Sequence, residues 1–176
     1  MKMQMLDSLE GLFINELKDV YNAEHQVMKA LPKLCNAAAS PELKDAFLEH
    51  LDQTRMQIER LEEVFDMLNL ATKGKKCEAM QGIIEEGQEI IDEDGDDAVK
   101  DAALIAAAQK VEHYEIATYG CLRTWAVLLG HEQVAEILED ILEEEKQTDL
   151  FLTEIAENII NEQAVDVEEE TMMYNR

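Results

Sequence analysis

Apolar residues recur at steps of three and four along four long stretches of this sequence, a period that amphipathic helices satisfy and strands do not. The first stretch runs from about Met5 to Ala38, with the stripe Leu6, Leu9, Phe13, Glu16, Val20, Glu24, Val27 and Leu31. Pro32 is expected to kink or end it, since proline lacks the N–H that a helix interior uses. Ser40-Pro41 then supplies an N-cap and a first-turn proline for a second helix, from about Pro41 to Asn69. Its stripe is Leu43, Phe47, His50, Thr54, Ile58, Leu61, Phe65 and Leu68.

The basic loop Thr72-Lys73-Gly74-Lys75-Lys76 leads into a short helix, about Cys77 to Asp92, which carries Met80, Ile83, Ile84, Ile90 and Ile91. Asp94-Gly95-Asp96 closes it. A third long helix, about Asp97 to Leu128, is apolar nearly all round between Ala98 and Gly120, a pattern that predicts burial by several neighbours. After the turn at Gly130-His131, the last helix spans about Glu132 to Asn161. Its stripe is Val134, Leu138, Ile141, Glu145, Thr148, Leu152, Ile155 and Ile159.

Only two prolines and seven glycines punctuate 176 residues, which favours long helices over a turn-rich β fold. Two long hairpins joined by a crossover predict an all-α fold: a ferritin-like antiparallel four-helix bundle with an additional short helix. Residues 1–162 are read as that bundle, and 163–176 as an acidic tail that frays or packs only against another chain. The formal net charge of −25 repels nucleic acid and anionic membranes and attracts cations. Much of that charge is a solvated surface. Three widely spaced cysteines, Cys35, Cys77 and Cys121, form neither a CxxC pair nor a Cys/His cluster. They fit reduced thiols of a cytoplasmic protein. No signal peptide or membrane span is expected.

The stripes are interrupted by polar residues that should be costly there. Glu112 and Glu115 stand three residues apart in a nearly uncharged run, and Glu145 lies in the middle of the last stripe. Carboxylates in a helix core need protonation, hydrogen bonds or a metal to offset their lost hydration. At about 100° per residue, Glu16 and Glu24 fall inward on the first helix, and His50 and Thr54 on the second, with Gln57 at the edge. Gln109 and Glu112 share a face of the third, with Glu115 some way aside, while Glu145 and Thr148 face inward on the last, with Asp149 close. Counting back from the hairpin turns places Glu24 nearer the level of Thr54 and Gln57 than Glu16 is. A carboxylate-bridged di-iron or di-manganese centre needs such oxygens plus imidazole projecting into a bundle. Glu24, His50, Glu112, Glu115 and Glu145 could supply them. The competing reading is a hydrogen-bonded polar layer, with His50 satisfied by a glutamate and by the Thr54 or Thr148 hydroxyls. His113, beside Glu112, is a candidate outer partner of a ligand or a structural residue, and Tyr114 and Tyr119 are read as core packing ahead of a redox role near a metal.

The run Gln109-Lys110-Val111-Glu112-His113-Tyr114-Glu115-Ile116-Ala117 resembles the YciE/YciF family of ferritin-like bacterial stress proteins. So do Asp19-Val20-Tyr21-Asn22-Ala23-Glu24, His50-Leu51-Asp52-Gln53-Thr54 and Glu143-Glu144-Glu145-Lys146-Gln147-Thr148-Asp149. The resemblance spans about residues 5–162 and implies a cytoplasmic, stress-associated, rubrerythrin-like bundle, often dimeric, with ferroxidase-like chemistry. It carries Glu112, Glu115 and Glu145 over as metal ligands. Where that ligand pattern has Glu-x-x-His, this chain has Glu145-x-x-Thr148 on the last helix, and His50, Gln53 and Thr54 on the second. Asp19, Gln53, Thr54, Gln57, Gln109, His113, Thr148, Asp149 and Glu16 remain as outer or alternative ligands.

Overall fold

The computed structural model describes residues 5–166. Among them all regular structure is helical: α1 (Leu9–Ala37), α2 (Pro41–Met67), α3 (Glu78–Asp92), α4 (Asp97–Leu128) and α5 (Glu132–Ile155). A 3-10 turn over Met5–Asp7 precedes α1. A π-turn over Ala156–Ile160 follows α5, and helix resumes over 161–166. The expected tail is thus helical as far as 166, and its remainder lies outside the described residues.

Local chemistry sets most helix starts. The hydroxyls of Ser8 and Ser40 accept the Gly11 and Leu43 amides at 3.0 and 3.3 Å. Asp96 caps α4 through Ala98 N and Val99 N, and the Cys77 thiol accepts Met80 N at the start of α3. Each interaction satisfies an amide that the first helical turn leaves without a partner. Gly130 takes a left-handed φ of 81° in the turn before α5, where a β-carbon would be strained.

The long helices form a ring in which α1 packs on α2, α2 on α5, α5 on α4 and α4 on α1, and α3 lies across the α1–α4 seam. This is the expected ferritin-like bundle with its crossover helix. Two apolar clusters fill it. Val27, Leu31, Leu43, Phe47, Met80, Leu104 and Ile155 belong to one end, and Phe13, Leu17, Leu61, Phe65, Tyr119, Leu122 and Leu138 to the other.

Of the two outcomes expected at Pro32, an end to the helix does not occur: α1 runs on to Ala37, close to the expected Ala38, with Val27, Leu31 and Leu34 buried on either side of the proline. Leu6 and Leu9, placed on the inward stripe, are 77% and 37% exposed. The third long helix, α4, is packed by several neighbours as expected, α1, α3 and α5, and still leaves Ala106, Lys110, His113, Ala117 and Cys121 along a solvent-facing edge. Alanine is apolar enough to extend a stripe in the sequence and small enough to be exposed at little cost.

A buried acid outside the bundle centre fixes the first hairpin. The Asp101 carboxyl of α4 accepts Ala39 N at 2.8 Å and Ser40 N at 2.7 Å, tying the α1–α2 turn to the second hairpin. Asp101→Ala leaves both amides short of this acceptor and should destabilise the fold by about 2–4 kcal/mol. Urea unfolding reads this directly, and a midpoint equal to that of the wild type would refute it.

Candidate metal centre

Between the two apolar clusters lies a polar layer to which every wall of the bundle contributes. Glu24 enters from α1, His50 from α2, Glu112 and Glu115 from α4, and Glu145 from α5. All five are buried. Glu112 and Glu115 sit one turn apart, so one face of α4 presents both. Glu115 turns fully inward because α4 is packed by α1, α3 and α5 together. His50, Glu112, Glu115 and Glu145 can each offer a ligand atom such that all four lie within 4.8 Å of one another.

Among the described residues no hydrogen bond satisfies the polar atoms of four of these side chains. Both nitrogens of His50 and both carboxyl oxygens of Glu112, Glu115 and Glu145 are buried without a hydrogen-bond partner among the described residues. His50 Nδ1 approaches Glu112 Oε1 at 3.2 Å and Nε2 approaches Glu145 Oε2 at 3.8 Å, yet neither contact has hydrogen-bond geometry. The threonines do not serve as the expected donors. The Thr54 hydroxyl bonds the carbonyl of His50 itself, and the Thr148 hydroxyl bonds Gln53 Oε1 and the Glu144 carbonyl. Orphaned buried acceptors cost about 1–3 kcal/mol each. Protonation of the carboxyls is one way to offset that cost, and a cation shared among the four side chains is another, which the proximity of their ligand atoms allows.

The electrostatics agree. Burial, then the charges of neighbouring glutamates, pushes Glu24, Glu112 and Glu115 well above the usual carboxylic range. Burial raises Glu145 to about 7, a rise moderated by its contact with Glu112. Burial alone lowers His50 to about 4. Without a cation the group therefore tends to be uncharged at neutral pH. With one, carboxylate charge becomes favourable.

The other candidates divide around this centre. Gln57 is buried and donates to Glu144 Oε2 at 3.1 Å, beside the Arg60–Glu144 ion pair. Gln53 reaches the layer's edge through Thr148. Gln109 turns to Asp149 and to Thr153 Oγ1, at 2.8 Å from the latter, so Gln109 and Asp149 bind each other across the α4–α5 contact. His113 is no partner of Glu112: its side chain is 69% exposed and faces Asp149 at 3.4 Å. Glu16 pairs with Lys75 at 3.3 Å rather than joining the buried group.

Asp19 belongs to a second network. Tyr114 donates to it at 2.6 Å, Lys75 pairs with it at 3.0 Å, and the Cys77 thiol contacts Tyr114 Oη at 3.0 Å. Burial works against ionisation of Asp19, but hydrogen bonds from Cys77, Tyr114 and Lys75 outweigh it and hold its pKa below the usual value. Tyr119 is more than core filler: its hydroxyl donates to Glu24 Oε1 and leaves Oε2 of the same carboxyl free. Glu24 is near enough to act electrostatically on Glu112 and Glu115, but it is not one of the four residues whose ligand atoms lie within 4.8 Å of one another.

Relatives share this architecture. The chain is 49% identical over 160 residues to protein YciF of Escherichia coli strain K12, covering 90% of this chain and 96% of the relative. The crystal structure of the E. coli stress protein YciF superposes with a TM-score of 0.86, covering 89% of this chain and 99% of that one. YcfI from Rhodopseudomonas palustris, provisionally described as a structural protein, follows with a TM-score of 0.82 and 42% identity over 86% of this chain and 98% of that one. A protein of Xanthomonas campestris shares the fold at 22% identity, with a TM-score of 0.71 over 93% of this chain and 99% of that one. Residues 8–165 match the family described as domain of unknown function DUF892, and with the YciF likeness first read from the motifs, the chain belongs to that family.

Proposed function

We propose that this chain is a stress-associated, ferritin-like metalloprotein whose Glu24, His50, Glu112, Glu115 and Glu145 hold a carboxylate-bridged pair of iron or manganese ions. One observation carries the reading: four buried ligand-type side chains from three helices converge within 4.8 Å, with no hydrogen bonds to satisfy them among the described residues. The stress association comes from the relative named a stress protein. If two ferrous ions are bound, they can give two electrons to dioxygen, which with two protons yields two ferric ions and hydrogen peroxide. The chain's own part is to exclude water, to change carboxylate protonation as cations arrive, and to fix Glu24 through Tyr119.

Anaerobic Fe(II) titration tests this. About two ions per chain are expected for a dinuclear site, with binding lost in Glu112→Ala. A wild type that binds no iron, or a variant that titrates like it, would remove the reading.

A second reading keeps the bundle non-catalytic, with the polar layer only specifying helix register. The missing Glu-x-x-His and the structural description given to YcfI favour it. It expects chelators to leave thermal stability unchanged. We place the protein in the cytoplasm, consistent with three free thiols and with no described helix long and apolar enough to cross a membrane. We expect a homodimer rather than a cage, which size-exclusion chromatography separates.

A further inference from the structure

A narrow crevice runs beneath α3, between α1 and α4, and ends at His50 and Glu112. Its walls are apolar, formed chiefly by Val27, Leu31, Ile84, Ile91, Ala107 and Val111. Only Lys33 and Gln88 add polar groups, on the solvent side, where Lys33 Nζ donates to Gln88 Oε1 at 3.0 Å and ties α1 to α3. Space exists because the facing residues are small. A β-carbon at Gly87 would meet the Ala107 β-carbon at 3.8 Å, an ordinary contact, so longer side chains there would extend into the crevice. The cavity volume is about 30 Å³. One water-sized sphere needs roughly 10–15 Å³ on that measure, so one or two molecules of diatomic size fit.

The deep end is unlike the walls. His50 and Glu112 are 2% and 0% exposed, and their side-chain nitrogens and oxygens have no hydrogen-bond partner among the described residues. A second approach reaches His50 from the opposite seam of the ring, between α2 and α5. It is a wider hollow of about 270 Å³ lined by Glu49, Gln53, Gln147 and Thr148 with Ala46 and Phe151. A hydrated cation or a peroxide keeps polar partners along that side and would lose them in the crevice. Dioxygen has the reverse preference: it is apolar, small and uncharged, and dry apolar cavities of proteins take up apolar gases.

We propose that the crevice under α3 is a dioxygen site and access path to His50 and Glu112, separate from the polar α2–α5 approach used by cations. The proposal rests on the metal reading above, to which it adds the class of oxidant and its route. α3 then has a function as well as a structural role, since it roofs the path and its Gly87 sets the bore.

Two measurements test it. Wild-type crystals pressurised with xenon should show the gas between Ile84 and Ala107, a readout independent of any metal. In stopped flow, protein loaded anaerobically with Fe(II) is mixed with dioxygen or with hydrogen peroxide. Gly87→Leu, and Ala107→Met as a second filling variant, should slow dioxygen-driven oxidation about tenfold or more, while the peroxide-driven rate stays within about twofold. The anaerobic titration should be unchanged, and Gly87→Ala should behave nearly as wild type. Xenon absent from the crevice, dioxygen rates unchanged in both filling variants, or equal slowing with both oxidants would overturn the access path while leaving metal binding in place. An acyl chain copurified in the crevice would overturn it too. A wild type that takes up xenon but no iron would instead overturn the metal reading, and this role with it.

Discussion

Glu115→Met should make the metal-free protein more stable and the metal-treated protein no more stable still. Both Glu115 carboxyl oxygens are buried and without partners, so removing them discards a desolvation penalty that nothing in the protein offsets. A buried carboxyl left without hydrogen-bond partners costs about 1–3 kcal/mol, a cost that an apolar side chain of similar volume does not carry. Near the middle of that range, a chain of this size should gain roughly 4–8 °C in Tm. The wild type should respond in the opposite sense. A ligand present at a hundred times its Kd stabilises by about 2.7 kcal/mol, so Mn(II), which avoids oxidation during the scan, should raise the wild-type Tm and leave that of Glu115→Met unmoved. A hydrogen-bonded structural layer makes the contrary forecast: the substitution destabilises, and Mn(II) does nothing to either protein. Thermal scans of the two chelator-treated proteins, with and without Mn(II), distinguish the cases by sign alone.

Those carboxylates were legible in the sequence because their spacing conflicted with their surroundings. Glu112 and Glu145 stood on apolar stripes, and the helix period alone brought them inside. The bundle was legible for the same reason, and Ser40-Pro41 is a strong local start signal whose predicted cap is present. Pro32 was misleading because a local rule worth about 3 kcal/mol was outweighed by burial on both sides of it. His113 was misleading because adjacency in sequence is not adjacency on a helix: the residue beside Glu112 points about a quarter-turn away. The Asp19–Tyr114–Cys77 network left no trace in the pattern. Its bonds join residues 95 and 37 positions apart, and only the crossing of α1, α3 and α4 brings them together. Tyr119 was legible as a buried aromatic residue but not as the donor to Glu24, a pairing that also spans 95 positions.

A second large effect is a metal-dependent reversal of how stability varies with pH. In the metal-free protein the buried glutamates hold protons that the unfolded chain releases above its ordinary carboxylic value of 4.5. The folded state then binds more protons than the unfolded state, so stability falls as pH rises. Glu145, raised to about 7, follows that sign until it too ionises. His50 has the opposite sign: lowered to about 4 from 6.5, it gives stability that grows as pH rises between those values. At about 1.4 kcal/mol per pKa unit, the Glu145 and His50 effects are similar in size and largely cancel up to pH 6.5. Above that pH the histidine contribution is complete, and ordinary surface carboxylates are already ionised. The remaining slope comes from the buried glutamates. The urea midpoint of chelator-treated wild type should therefore fall from pH 6.5 to pH 8, with a shallower fall in Glu115→Met. Saturating Mn(II) should flatten or invert the wild-type slope, because the cation displaces those protons and binds more tightly as pH rises. A metal-free midpoint that is flat or rising over this window would mean that the five side chains are not held neutral by burial. The physical argument for a cation among them would then fail at its first step.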